Sequence, residues 1–258
     1  MTGLTIFPVP GLPELREGDD LARLITERAE LEDGDVLVVA QKAISKIEGR
    51  IVQLDDVEPS AKARELAGDG DPRRIEVILR EAKGVLRTRG SLLITETHHG
   101  FICASSGVDA SNAPEPGTLV LLPVDPDASA AELRARLREL TRRNVGVVLS
   151  DSFGRPWRQG TTDVAIGAAG VEVLRDLKGA RDPNGYELRS TVIAIADEIA
   201  GAAELVMGKL DRVPVAILRG LDADGDGRAQ DLVMPAERNL FSERTAATRR
   251  GIARYCPI

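Results

Sequence analysis

Apolar and polar positions alternate between two periods along the chain. Residues 4–9 read as a strand, and the run Val36-Leu37-Val38-Val39 marks residues 35–40 as a buried strand. Residues 20–30 place Leu21, Leu24 and Ile25 on one side of a helix that Asp19 or Asp20 can cap. Residues 41–46 start a short helix directly after the buried strand. Residues 59–67 and 72–82 read as two helices on either side of Gly68-Asp69-Gly70-Asp71. Strands are expected at residues 91–96 and 100–104, around Thr97-His98-His99, and at residues 118–122. Residues 127–143 form the clearest surface helix, with Leu133, Leu137 and Leu140 at helical spacing and Arg142-Arg143 at the end the dipole favours. Residues 145–149 are a second buried strand, and residues 164–174 are extended and Gly-rich. A long Ala-rich helix at residues 190–209, a last strand at 213–219 and a loop at 222–230 complete the pattern. This mixture predicts an α/β or α+β fold. Sites in such folds lie at strand ends, where this chain carries its polar junctions.

Composition narrows the functions. Of 258 residues, 43% are hydrophobic and 29% charged, so the chain is globular and long enough for a sizeable core. With 34 Lys and Arg against 41 Asp and Glu the net charge is −7, which argues against coating nucleic acid or an anionic membrane. Aromatic residues at 3% leave little for a base-stacking platform. No stretch approaches the ~20 apolar residues of a membrane span, and residues 1–10 lack a signal peptide's basic start and apolar run. Cys103 and Cys256 have no CxxC partner and read as reduced thiols of a cytoplasmic protein. Residues 249–258 carry no lipidation signal. Two His and two Cys are too few for a metal cluster of those residues. Any chemistry rests on carboxylates, hydroxyls, Lys and Arg.

Several segments can carry such chemistry. Asp109 and Asn112, three apart after a strand, offer oxygen ligands and donors, or else a turn with a capping Asp. At 149–160 a buried strand ends in Asp151-Ser152, hard oxygen ligands suited to Mg²⁺ or Mn²⁺. A Gly- and Pro-stiffened loop then brings Arg155, Trp157 and Arg158, and the arginines suit carboxylate or phosphate. The alternative is a structural turn around a packed Trp. Asp197 and Glu204 share a helix face, as paired carboxylates or as a solvent side. Gly208-Lys209 is no P-loop, because the spacing from Gly201 is wrong and Leu210 stands at the Ser/Thr position, but such a pair can still contact phosphate. Gln41, Lys42 and Lys46 form either an anion site or a solvated basic turn. Asp222, Asp224 and Asp226 imitate half a calcium loop, yet Val233 at its twelfth position cannot ligate. His98 and His99 read equally as loop or substrate-binding residues.

Taken in order, Gly11-Leu12-Pro13, Ser45-Lys46-Ile47-Glu48-Gly49-Arg50, His99-Gly100-Phe101, Gly107-Val108-Asp109-Ala110-Ser111-Asn112, Asp151-Ser152-Phe153-Gly154-Arg155, Ala165-Ile166-Gly167 and Asp197-Glu198-Ile199-Ala200 resemble the coenzyme F420-0:L-glutamate ligase family, the γ-glutamyl ligases. The resemblance runs from about residue 7 to 241. It implies a GTP-dependent enzyme that joins L-glutamate to coenzyme F420-0 using Mg²⁺ or Mn²⁺ and K⁺. It also implies an intertwined homodimer of mixed α/β (α+β) subunits with mixed sheets. Residues 1–245 would be one ligase domain of two subdomains, roughly 1–85 with 190–245, and 86–189, followed by a tail at 246–258. In some relatives a nitroreductase-like flavin domain follows; none is expected within 258 residues. By the same resemblance Asp109, Asp151 and Ser152 are metal ligands. Leu12, Pro13, Glu14, Leu15, Gln41, Lys42, Lys46, Asn112, Met207, Gly208 and Lys209 contact the guanine nucleotide. Lys209 stands where some members carry an acidic ligand, and Gln41 and Ser152 replace small hydroxyl residues. The implied chemistry passes through an acyl phosphate, with Asp109, Asp151 and Arg155 as catalytic residues. Two other functions fit the residues: an acid–amine ligase for a different cofactor or peptide, and a non-catalytic guanine nucleotide-binding protein.

Overall fold

The protein is described from a computed structural model over residues 3–239. Cys256 and the tail at 246–258 lie outside the described residues. From the N-terminus run β1 (Thr5–Pro8), α1 (Leu21–Thr26), β2 (Val36–Ala40), α2 (Gln41–Ile47), β3 (Ile51–Gln53), α3 (Ala61–Ala67) and α4 (Pro72–Glu81). They are followed by β4 (Ala82–Arg89), β5 (Leu92–Thr97), β6 (Ile102–Ala104), β7 (Thr118–Val120), α5 (Pro126–Thr141), β8 (Gly146–Arg155) and β9 (Arg158–Ala169). Last come β10 (Arg175–Asp176), β11 (Val192–Ile193), α6 (Ile195–Met207) and β12 (Val215–Arg219). Side-chain caps start several helices. Asp20, Ser60, Asp71 and Asp125 each accept a first-turn N–H, and Pro72 and Pro126 supply a fixed φ just after their caps.

The central sheet has the order β1-β12-β2-β8-β9 and is mixed, with β2 and β8 parallel and the other neighbours antiparallel. Alternation along β2, β8 and β12 splits their apolar residues between two cores. On one face Leu37, Val39, Val147, Leu149 and Ile217 pack against Leu21 and Ile25 of α1, Ile44 of α2 and Leu137 of α5. On the other, Val36, Val38, Val148 and Leu218 meet Ile199, Ala203 and Met207 of α6. Each such side chain, fully buried, contributes about 1.5–3 kcal/mol. A third cluster, including Ala63, Ile75, Ile78, Leu93 and Leu119, lies among α3, α4, β5 and β7. Among the described residues no helix is long and apolar enough to cross a membrane.

The structure corrects several local expectations: the helix expected from residue 190 starts only at Ile195, after the short strand β11, and two further corrections lie along the hairpin and at α4. The strand expected to stop at residue 149 continues to Arg155, because β9 pairs with it as a long hairpin and supplies the ladder that Asp-Ser-Phe-Gly-Arg does not advertise. The second is at α4, which passes without a loop into β4, an element its polar sequence concealed. Close packing of α5 on the hairpin depends on Gly167. A Cβ there would lie 2.3 Å from the Pro126 carbonyl oxygen, a backbone atom that cannot step aside. Gly167→Ala is expected to cost about 1–3 kcal/mol, read as a lower denaturant midpoint with unchanged m-value.

Candidate functional site

The parallel pairing of β2 with β8 ends with Ala40 opposite Ser150. Beyond that point one strand turns into α2 and the other carries on through Asp151. This corner gathers charge. The Lys42 ammonium, on the first turn of α2, lies 2.5 Å from Asp109 Oδ2 and donates to Ser111 Oγ at 2.7 Å. Ser111 in turn holds Asp109: its N–H donates to Oδ1 at 2.8 Å and its hydroxyl to Oδ2 at 2.7 Å. Burial raises the Asp109 carboxyl, but the hydrogen bonds from Lys42 and Ser111 outweigh it and bring the pKa down to about 2.

The backbone that delivers Asp109 is fixed on both sides. Asp109 and Val120 exchange N–H···O bonds of 3.0 and 2.8 Å. Just before it, Ser105, Ser106 and Gly107 all have positive φ (55°, 55° and 71°), costly for the two serines. Buried bonds compensate: the Ser106 N–H donates to Thr95 Oγ1 at 2.9 Å and its hydroxyl to the Ile78 carbonyl at 3.1 Å.

Asp151 lies on the same sheet face as Leu149 and Phe153. Burial pushes its carboxyl up to about 7; the Ser152 N–H and the positive charges of Lys42 and Lys209 pull the other way, while the Asp163 charge adds to the rise. Nearby, burial and the Asp151 charge push the Cys103 thiol up to about 12, so that sulfur is an inert core atom. Ser152 points to the opposite face. Its hydroxyl donates to Asp163 Oδ1 at 2.6 Å, and Ser150 donates to Oδ2 at 3.0 Å. The structure therefore brings Asp109 and Asp151 toward one lysine but leaves the Ser152 hydroxyl engaged elsewhere. Asp163, 7% exposed, is a site neighbour that sequence reasoning missed.

Residues 11–15 run from the Gly11 carbonyl, which accepts from Arg28 Nε at 2.8 Å, to a contact of Glu14 with α2. Glu14 forms an ion pair with the buried Lys46, Leu15 is buried, Leu12 packs on the first core, and Pro13 is exposed. Gln41 is 1% exposed. Its Oε1 accepts from Ser45 Oγ at 2.8 Å, and its Nε2 is buried with no hydrogen-bond partner. Asn112 is exposed with φ 55°. Met207 is buried at the end of α6, Gly208 turns the chain at φ 61°, and Lys209 is exposed beyond it. Arg155 is not gathered in: it stands four residues past Asp151, about 13 Å at strand rise, and donates to the Gln159 carbonyl at 3.3 Å near the hairpin tip. Asp197 is structural, accepting from the Ala165 N–H at 2.9 Å. His98 and His99 each bond loop or helix carbonyls.

Among the described residues no three His, Cys, Asp or Glu side chains cluster as a metal cage. The donor set is sparser: the Asp109 and Asp151 carboxylates with the Ser111 hydroxyl. These are hard oxygens, and Asp109 already carries a positive partner in the Lys42 ammonium. Two carboxylates fit Mg²⁺ or Mn²⁺, ions that fill their remaining positions with water and substrate phosphate.

Comparison with known proteins gives a consistent result. The family model described as F420-0:Gamma-glutamyl ligase matches residues 11–220. The chain is 50% identical over 246 residues to the coenzyme F420:L-glutamate ligase of Methanopyrus kandleri, covering 92% of this chain and 97% of that one. It is 44% identical over 239 residues to the enzyme of the same name from Archaeoglobus fulgidus, covering 92% and 95%. To that from Methanocaldococcus jannaschii it is 44% identical over 236 residues, covering 89% and 94%.

Proposed function

The chain belongs to the F420-0:gamma-glutamyl ligase family, and from that premise we propose that it joins L-glutamate to coenzyme F420-0 at the expense of GTP. The observation that carries this reading is the convergence of Lys42, Asp109 and Asp151 where the pairing of β2 with β8 ends. An acid–amine ligation must bring a nucleoside triphosphate and an acceptor carboxylate together, so its main barrier is charge.

An oxygen of the acceptor carboxylate attacks the γ-phosphorus of GTP, and the bond to the β–γ bridging oxygen breaks to release GDP. The glutamate α-amine, having lost a proton, attacks the carbonyl carbon of the resulting acyl phosphate. Phosphate leaves and the amide remains. Asp109 and Asp151 would hold a divalent ion, which supplies positive charge to the phosphate oxygens. Lys42, Lys46 and Lys209 add positive charge around the nucleotide. The buried Nε2 of Gln41 offers a donor to an acceptor atom of the nucleotide. In this proposal Arg155, which donates to the Gln159 carbonyl near the hairpin tip, would meet a remote part of the acceptor rather than its reacting carboxylate. The intertwined homodimer and the potassium ion belong to the same proposal.

The test is a ligation assay read by product mass. With GTP, L-glutamate and F420-0, the expected product is the acceptor plus one or more glutamyl residues, with phosphate release dependent on both co-substrates. GTP binding without turnover, or product only from a different acceptor, would overturn the reading.

A further inference from the structure

We propose that the Lys42 ammonium is an internal counter-ion that occupies the cation position on Asp109, so that divalent metal and GTP bind as a coupled pair. This rests on the reading of Asp109 as a metal ligand. The geometry is specific. Asp109 Oδ2 already receives two donors, Lys42 Nζ at 2.5 Å and Ser111 Oγ at 2.7 Å, and Oδ1 receives the Ser111 N–H at 2.8 Å. The Lys42 side chain is only 13% exposed, so its charge is concentrated on this carboxylate rather than dissipated in water. A divalent ion on the same oxygen would sit within a few ångströms of the ammonium, and like charges at that range repel strongly. Metal can enter only as the ammonium moves off.

The lysine has a flexible stem and a compact charge, so moving off is a rotation of side-chain torsions and needs no backbone change. It requires another anion within reach. A triphosphate supplies that anion, and its remaining oxygens complete the metal's coordination. Nucleotide thus removes the competitor and provides ligands in one event. By linkage, metal must then raise the affinity for GTP by the same factor as GTP raises the affinity for metal. Lys209 serves as a comparison, because its charge bears on Asp151, whereas among the described residues the ion pair of Asp109 is with Lys42.

The experiment is calorimetric titration of Mn²⁺ into the full chain, with and without GTP and with no acceptor present. The parent is expected to bind Mn²⁺ weakly alone and about tenfold or more tightly with GTP. Lys42→Met is expected to bind Mn²⁺ alone at least several-fold more tightly than the parent and to lose most of the GTP dependence. Without nucleotide, Lys42→Arg, which keeps the counter-ion, is expected to leave Mn²⁺ binding near the parent value, and Lys209→Met to tighten it far less than Lys42→Met does. Equal tightening in Lys42→Met and Lys209→Met would reduce the effect to net charge and overturn the proposal. So would no coupling between Mn²⁺ and GTP in the unmodified chain, a measurement that requires no variant to fold. If GTP binds but Mn²⁺ binds to no form under either condition, the metal reading itself is overturned.

Discussion

Asp151→Ala is expected to abolish ligation, by about a thousandfold or more, while the chain still folds and still binds its acceptor. Asp151 is a half-buried carboxylate on a strand whose backbone pairing with β9 does not depend on its side chain. No cation in the described residues forms an ion pair with it. Its charge is therefore available to a ligand and is held in place at a cost to the fold. That cost has a definite sign. The folded chain raises this carboxyl from 3.8 to about 7, so it binds the proton more tightly than the unfolded chain does. The contribution to stability is fully present below pH 3.8 and is lost as pH rises through about 7. Asp151→Asn mimics the protonated form at every pH. With metal chelated, its melting temperature is expected to match the parent near pH 4 and exceed it by pH 8, while its activity is gone. Full activity in either variant, or a melting difference that does not grow with pH, would take Asp151 out of the proposed role.

Arg219→Ala is expected to destabilise the fold by about 3–5 kcal/mol, or about 10 °C or more in melting temperature for a domain of this size. Asp35 is 0% exposed at the start of the central strand β2. Arg219, closing β12, donates to its two oxygens at 2.8 Å each and to the Glu30 carbonyl at 3.1 Å. The same guanidinium lies 5.3 Å over the Phe7 ring, tying β1 into the group. Removing it leaves a buried carboxylate with only the Glu32 N–H as a close donor among the described residues. Calorimetry of the variant decides the matter. Asp35→Asn on the same background should recover part of the loss, because the unpaired charge goes with it.

Apolar runs made the centre of the fold legible. Val36-Leu37-Val38-Val39 and the strand beginning at residue 146 could hardly be placed outside a core, and an aspartate at 19 or 20 marked the start of the first helix. What escaped was polar backbone held by a partner. The outer half of β8 carries Asp, Ser, Gly and Arg, and only its hairpin with β9 makes it a strand. β4 escaped for the same reason. At the site, Asp109 and Asp151 stood out as hard-oxygen donors at strand-like junctions. Their common neighbour Lys42 was legible as a basic residue but not as Asp109's partner, since 67 residues separate them. Ser152 joins Asp151 in the sequence reading as a hard-oxygen donor and, by the family resemblance, as a metal ligand, whereas its hydroxyl in the structure donates to Asp163. Once residue 151 is known to lie in a strand rather than a loop, adjacency means opposite faces. The same alternation would have aligned Ser150 and Ser152 with Asp163 across the hairpin.

β8 is an apolar core element at one end and the carrier of Asp151 at the other, and the register shift between Leu149 and Ser150 places its extra residue on β9, leaving the alternation of β8 itself unbroken. Its side chains are assigned to faces by parity alone. Odd positions from Val147 to Phe153 look toward Lys42, and even positions from Val148 to Ser152 look toward α6. A single residue inserted or deleted between Val148 and Asp151 would exchange the two sets, sending the carboxylate to Asp163 and the serines to Lys42. Point changes can tune this site, but a frame of one residue separates it from its mirror assignment, and the core apolar residues on the same strand hold that frame.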